Sequence, residues 1–250
     1  MKKTAKYLPI TIILILVILF LGFKKNIDLK GMQTYNTPHF EIYYEELNQQ
    51  TLEDIEQKLE TGYPRIQDFF GLNSDSKAKV IIYKSVERFQ KAYLGYILSL
   101  VYGDWASGAA YQDTVLVSSP ENPGAQHTYE DILEIIVHEY VHTLVYLHNE
   151  MANIWLDEGT ATYLAGQESK LPPNIPEFET FQATDMNTFL ENDGYAFSYK
   201  YIEFLDRTYS SRQIIQLIKS NNYEEVFGKS PLEIYNEWIS YLEQEISETD

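Results

Sequence analysis

Hydrophobic residues follow different spacings in different parts of this chain, and each spacing predicts a type of element. Short runs of β-prone residues predict three strands, at residues 40–44, where they alternate with other residues, and at 80–83 and 114–117. Apolar positions at helical spacing predict helices, at residues 51–70, 85–100, 154–166, 195–209, 212–220 and 231–247. Another helix is predicted after Thr128, because Thr128 and Asp131 have the spacing of a helix cap.

This order predicts an α+β fold, with a small mixed sheet followed by helices. Residues 24–36 have no clear periodicity and are interpreted as a short linker. The main body of the chain, residues 31–250, is then expected to contain a mainly sheet-forming part, residues 31–127, and a helical part, residues 128–250.

The N-terminus has the pattern of a membrane anchor. Residues 8–23 lack any charge and follow three lysines. A bilayer span needs about 20 apolar residues with a lower limit near 17, so this run is short but long enough when Tyr7 is included. Gly22 is followed by Phe23 and Lys24, so the small-x-small cleavage site of a secretory signal peptide is missing. We therefore expect residues 1–30 to form an uncleaved single-pass anchor and linker, with the main body outside the cytoplasm. Secretion after cleavage is the alternative.

Composition excludes several classes of function. Residues 31–250 contain 13 basic and 36 acidic side chains, and the whole chain has a net charge of −18. Nucleic-acid binding requires a basic surface, so nucleic acid is not an expected partner. The chain contains no cysteine, which excludes disulfides, thiolate metal sites and a cysteine nucleophile. Any metal site must use His, Asp or Glu.

The segment His138-Glu139-Tyr140-Val141-His142 has the spacing of a metal site. Side chains four residues apart lie on the same face of a helix, so His138 and His142 can converge on one ion. In an H-E-x-x-H helix, Glu139 then lies beside a water molecule at the metal. The alternative is two ordinary histidines on the partly buried face of a core helix.

A second segment, Trp155-Leu156-Asp157-Glu158-Gly159-Thr160-Ala161, provides a third ligand. A catalytic zinc site uses three protein ligands, and Glu158 on a neighbouring helix would complete a His₂Glu set. Together the two motifs resemble the gluzincin zinc metallopeptidases, and among them the peptidase MA-like group. The resemblance continues at residues 195–205 and 226–238, and covers about residues 38–247.

The resemblance implies a zincin-like fold, one Zn²⁺ per chain on His138, His142 and Glu158, and hydrolysis of peptide bonds in a peptide or protein substrate. It implies that Glu139 is the general base and that Tyr195 hydrogen-bonds the tetrahedral oxyanion, with Tyr199 as second choice. We also expect residues 114–117 to form an edge strand beside the zinc helix that pairs with an extended peptide.

Two departures from the family pattern limit what the resemblance implies. The interval from His142 to Glu158 is 16 residues, shorter than in the large aminopeptidases. Those enzymes also carry a G-x-M-E-N segment whose Glu binds the substrate's amino terminus. The corresponding segment here, Gly108-Ala109-Ala110-Tyr111-Gln112, has no acidic residue. Aminopeptidase specificity of this type is therefore not expected.

The remaining candidate residues have plainer interpretations. His39, His127 and His148 are expected to be ordinary surface or core histidines. Asp157 either orients a ligand imidazole or is solvated, and the sequence does not decide between the two. The main hypothesis is a membrane-anchored extracytoplasmic zinc peptidase. The alternative is a catalytically inactive zincin-like domain that binds peptides or a membrane partner.

Overall fold

The computed structural model describes residues 27–73, 76–95, 106–182 and 184–249. Residues 8–23, which the sequence predicts to be the membrane anchor, lie outside the described residues, and so does the end of the helix predicted at residues 85–100. Among the described residues, no helix has both the length and the apolar character needed to cross a bilayer.

The described residues form one mixed β-sheet. Its strands are β1 (Gln33–Asn36), β2 (Phe40–Tyr44), β3 (Ala78–Tyr83), β4 (Gly108–Tyr111) and β5 (Thr114–Ser118), in the order β1-β2-β3-β5-β4. The central pairs β2–β3 and β3–β5 are parallel, whereas β1 and β4 pair antiparallel at the two edges.

Ten helices account for most of the other described residues. They are α1 (Gln49–Phe70), α2 (Val86–Tyr93), α3 (Tyr129–His148), α4 (Ile154–Ala165), α5 (Phe178–Phe181), α6 (Met186–Glu191), α7 (Gly194–Thr208), α8 (Ser211–Ser220), α9 (Tyr223–Phe227) and α10 (Pro231–Thr249). The predicted α+β class is confirmed, because a small mixed sheet is followed by a helical part.

The sheet is covered on both faces. Val80 and Ile82 of β3 belong to the main core with α1 and α3, whereas Ile81 and Tyr83 pack with Phe89 of α2 on the opposite face. A strand that is buried on both faces has no need of polar alternation, which explains the continuous apolar run of β3.

Two strand predictions are wrong. Residues 33–36, interpreted as part of a linker, form the edge strand β1. Residues 114–117, predicted to be an edge strand, lie in β5 between β3 and β4. The edge beside α3 is instead β4, whose sequence Gly-Ala-Ala-Tyr lacks the β-branched residues typical of strands. After β4 the chain reverses direction at Gln112, where φ is +56°. This turn lets β4 pair with β5, and the pairing makes β4 a strand.

Helices α4 and α7 cross closely at Gly159. A Cβ atom at this position would lie 2.6 Å from the backbone oxygen of Ser198 and 2.9 Å from Ile202 Cγ1. Backbone atoms cannot move aside as a flexible side chain can, so only glycine allows this approach. At this crossing α4, which carries Glu158, packs directly against α7, which carries Tyr195.

Candidate metal centre

Helix α3 carries the H-E-x-x-H segment and starts at a complete capping box. The Thr128 hydroxyl accepts the backbone N–H of Asp131 at 3.2 Å, and the Asp131 carboxylate accepts the backbone N–H of Thr128 at 2.7 Å. The helix then runs between the sheet and α4. His138 and His142, one turn apart, both lie on a buried face.

Three side chains from α3 and α4 converge on one point. The Nε2 atoms of His138 and His142 are 2.9 Å apart, and Oε2 of Glu158 lies 3.3 Å from the first and 3.6 Å from the second. All three residues are buried, with at most 9% of their surface exposed. Among the described residues, this is the group of histidines and carboxylates placed to hold a metal ion.

The Glu158 carboxylate is the observation that points to a cation. Its Oε2 atom is buried and has no hydrogen-bond partner among the residues that the structure describes. Burial acts to raise the pKa of Glu158, but the adjacent imidazoles, His142 first, hold it well below its usual value. A buried, ionised oxygen without a hydrogen bond is costly unless a positive charge, on a protonated imidazole or a metal ion, neutralises it. The two imidazole nitrogens supply the other ligands of such a site.

Each histidine is oriented through its other ring nitrogen. Nδ1 of His142 lies 2.6 Å from Oδ1 of Asp157, and Nδ1 of His138 lies 2.8 Å from Oε1 of Gln167. These contacts turn both Nε2 atoms towards Glu158. Of the two interpretations left open for Asp157, the structure favours contact with an imidazole.

His142 binds its proton tightly when no metal is present. Burial acts to lower the pKa of His142, but the negative charges of Asp157 and Glu158 raise it well above its usual value. An imidazole must lose this proton before Nε2 can bind a metal ion, so metal binding at this centre is coupled to proton release.

Glu139 lies at the edge of the sheet beside this centre. Its side chain packs against the backbone of Gly108 in β4, where a Cβ atom would lie 3.0 Å from Oε1 of Glu139. Burial raises the pKa of the Glu139 carboxyl above its usual value. A carboxylate with a raised pKa binds a proton more strongly than an ordinary carboxylate does, as a general base requires.

The two candidate tyrosines occupy different places. The Tyr195 ring lies 6.5 Å from the His138 ring and is 42% exposed. Burial, and then the charge of Glu158, raise the pKa of Tyr195 above its usual value. Tyr199 is buried against Tyr163, with the ring centroids 5.5 Å apart. Of the two phenols, Tyr195 is the one in ring contact with a residue of the metal centre.

Sequence reasoning missed two residues that contact the centre. Tyr146 stacks on His142, with ring centroids 5.7 Å apart, and its spacing four residues after His142 on α3 would have indicated this contact. Gln167 follows the end of α4, and no pattern in the sequence marks it as a partner of His138.

The other three histidines lie away from this centre. His39 contacts the Glu60 carboxylate at 2.6 Å and stacks on Tyr63, while His148 stacks on Phe70. His127 belongs to no metal-binding group of the described residues. The contacts of His39 and His148 agree with their interpretation as ordinary histidines.

No protein-family model matches the chain, and no curated protein matches it. The resemblance of the two motifs to gluzincins therefore stays a prediction, and the geometry of the centre carries the functional conclusion.

Proposed function

We propose that this chain is a zinc-dependent peptidase of the gluzincin type, anchored in the membrane by residues 8–23, with its catalytic domain outside the cytoplasm. The observation that carries the proposal is the buried Oε2 of Glu158, which has no hydrogen-bond partner among the described residues and lies 3.3 and 3.6 Å from the Nε2 atoms of His138 and His142. Glu139 lies on the same helix as the two histidines. Two imidazoles and one carboxylate are the ligands of a catalytic zinc site with one open position.

His138, His142 and Glu158 would hold the ion. When bound, Zn²⁺ supplies a Lewis acid that lowers the pKa of a water molecule and polarises a carbonyl group. Asp157 and Gln167 keep the two imidazoles in the orientation that this requires. The ligands come from α3 and α4, which are rigid elements of the core, so the centre is held in position before a substrate arrives.

Glu139 would act as the general base and acid. It takes a proton from the attacking water and delivers this proton to the leaving amine. The burial that raises its pKa makes the carboxylate a stronger base towards the water, and the carboxyl group then holds the proton until the leaving amine, a much stronger base, takes it up.

Tyr195 would donate a hydrogen bond to the oxyanion that forms at the scissile carbonyl. Its raised pKa keeps the phenol protonated at neutral pH, and its partly exposed ring lies beside His138. Such a donor stabilises charge that develops only in the transition state.

The outer edge of the sheet at β4 would bind the substrate. In the described part of the chain, β4 is the last strand of the sheet, next to β5, and its first residue, Gly108, touches Glu139. An extended peptide paired with this edge would bring its backbone past the metal centre. The segment from Gly108 to Gln112 has no carboxylate to bind a free amino terminus, which argues against a G-x-M-E-N aminopeptidase.

Metal content and one conservative variant test the proposal. We expect the full chain, purified in detergent, to contain about one zinc ion, and His138→Ala to lose it. Glu139→Gln is expected to keep zinc and to abolish hydrolysis of a mixed peptide library read by mass spectrometry. The matched control is Glu134→Gln, since Glu134 lies on the same helix with its side chain 41% exposed.

Other results of the zinc and hydrolysis measurements would favour the alternatives to this proposal. Zinc binding without hydrolysis by the unmodified chain would favour the inactive peptide-binding domain. Hydrolysis that persists in Glu139→Gln would assign the base to another residue. The anchor is tested separately: the full chain is expected to stay with membranes after a high-salt wash, and release into the soluble fraction with a shortened N-terminus would support the secreted alternative.

A further inference from the structure

Gln167 is held in a defined position at the end of α4. The preceding residue, Gly166, has φ of +75° and closes the helix, and the backbone N–H of Gln167 donates to the carbonyl oxygen of Thr162 at 3.0 Å. The next residue, Glu168, forms an ion pair of 2.7 Å with Lys200 on α7. The helix cap thus fixes the backbone at Gln167, and the side chain of the next residue contacts α7.

From this position the side chain reaches His138. Its Oε1 atom lies 2.8 Å from Nδ1 of the imidazole. An amide oxygen only accepts hydrogen bonds, so the contact requires the proton of neutral His138 to be on Nδ1. The lone pair of the imidazole is then on Nε2, which faces Glu158 at 3.3 Å.

The two histidines therefore have chemically different partners. His142 contacts a carboxylate, Asp157, whereas His138 contacts a neutral amide. Three carboxylates already belong to or border this centre, those of Glu139, Asp157 and Glu158. Either kind of acceptor can hold an imidazole through Nδ1, and Gln167, which is only partly buried, does so without adding a further charge.

We propose that Gln167 is a positioning residue of the metal centre, which holds His138 with its Nε2 lone pair towards the cation and thereby increases the affinity for Zn²⁺. The inference rests on the proposed function only in requiring that the centre binds zinc. Residues that orient a ligand histidine contribute about 10–100-fold in metal affinity.

The test is the zinc affinity of the full chain, measured by competition with a chromophoric chelator. Gln167→Leu keeps the size of the side chain and removes the acceptor, and we expect it to weaken zinc binding by about 10–100-fold. Gln167→Glu restores an acceptor oxygen at the same length, and we expect its affinity to stay within about threefold of the unmodified chain. The matched control is Gln216→Leu on the exposed face of α8, which is expected to leave affinity unchanged.

A merely structural role predicts a different pattern. It would lower the thermal stability of the metal-free protein in Gln167→Leu, and Gln167→Glu would not restore zinc affinity. The inference is therefore overturned if Gln167→Leu binds zinc as tightly as Gln216→Leu, or if Gln167→Glu is as weak as Gln167→Leu. If Gln167→Leu does not fold, Gln167→Asn replaces it, because a side chain one methylene shorter loses the contact.

The two proposals fail in distinguishable ways. If the unmodified chain hydrolyses no peptide but Gln167→Leu weakens zinc binding, the peptidase proposal fails and the role of Gln167 stands. If hydrolysis depends on Glu139 and all Gln167 variants bind zinc equally, the peptidase stands and the role of Gln167 fails. If the unmodified chain binds no zinc, both are overturned.

Discussion

Gly108, the first residue of β4, packs directly against Glu139 of α3. A Cβ atom at position 108 would lie 2.9 Å from Cγ and 3.0 Å from Oε1 of Glu139, and 2.5 Å from Cγ2 of Ile135. The edge strand proposed to bind substrate and the carboxylate proposed to act as base are therefore in contact. The missing side chain of Gly108 is what allows this contact.

The first prediction follows from this packing. Gly108→Ala is expected to displace Glu139 and to lower kcat by about tenfold or more, while zinc content stays at one per chain. Overpacking of this kind also costs about 1–3 kcal/mol of the free energy of unfolding. Steady-state kinetics and denaturant unfolding measure the two effects.

A second glycine offers the control for this change. Gly62 lies inside α1, where a new Cβ would meet its nearest neighbour, Val137 Cγ1, at an ordinary 3.5 Å. Gly62→Ala is expected to stabilise the protein by about 0.5–1 kcal/mol, because alanine favours a helix interior, and to leave kcat unchanged. Equal activity in Gly108→Ala and Gly62→Ala would contradict a role for the β4–Glu139 contact.

The second prediction concerns removal of the metal. A ligand that binds only the folded protein stabilises it, by about 2.7 kcal/mol at a free concentration 100 times its Kd. Zinc is therefore expected to raise the Tm of the chain, and a chelator to reverse the rise. Glu158→Ala is expected to abolish this dependence, as measured by calorimetry with and without zinc. A zinc-dependent rise in Tm that survives in Glu158→Ala would place the ion elsewhere.

The third prediction separates the two candidate phenols. Tyr195→Phe is expected to lower kcat by about 10²-fold with little change in KM, because the lost hydrogen bond forms only in the transition state. Tyr199→Phe is expected to keep kcat within about twofold, since Tyr199 packs against Tyr163 rather than His138. A comparable loss of kcat in Tyr199→Phe would contradict the assignment of the oxyanion hydrogen bond to Tyr195 alone.

The fourth prediction is a pH dependence of stability that is independent of the metal. The Glu60 carboxylate accepts hydrogen bonds from the hydroxyl of Thr37 at 2.6 Å and the backbone N–H of His39 at 2.9 Å, and it contacts Nδ1 of His39 at 2.6 Å. Burial acts to raise the pKa of Glu60, but these contacts lower it below its usual value of 4.5.

A carboxyl group whose pKa is lowered by folding stabilises the protein when it is ionised. The contribution of Glu60 is therefore complete above pH 4.5 and is lost as the pH falls through the lowered pKa. Glu60→Gln is expected to cost about 1–3 kcal/mol at pH 7, and the difference from the unmodified chain is expected to shrink in acid. Urea unfolding across this pH range measures it, with Glu53→Gln on the exposed face of α1 as control. A cost that stays constant with pH would contradict the prediction.

Some features of the centre are local, and the sequence predicts them well. The spacing of His138 and His142 places both imidazoles on one face because a helix repeats every 3.6 residues. The capping pair Thr128 and Asp131 marks the start of α3 for the same local reason. The short helices α5, α6 and α9 escaped prediction, since four to six residues complete little more than one turn and show no helical spacing. Strands β1 and β4 escaped because their sequences, QTYN and GAAY, contain few of the residues typical of strands.

By itself, the sequence determined the helix faces, their caps and the residue types that can bind a metal, because these depend on neighbours within a few positions. Only the tertiary structure decided that Gln167 contacts His138, that Asp157 contacts His142, and that β4 rather than β5 is the edge beside Glu139. Each of these joins residues on different elements, and their distances depend on how closely the elements pack. Gly108 and Gly159 permit that packing at two points, where a Cβ atom would hold the elements apart.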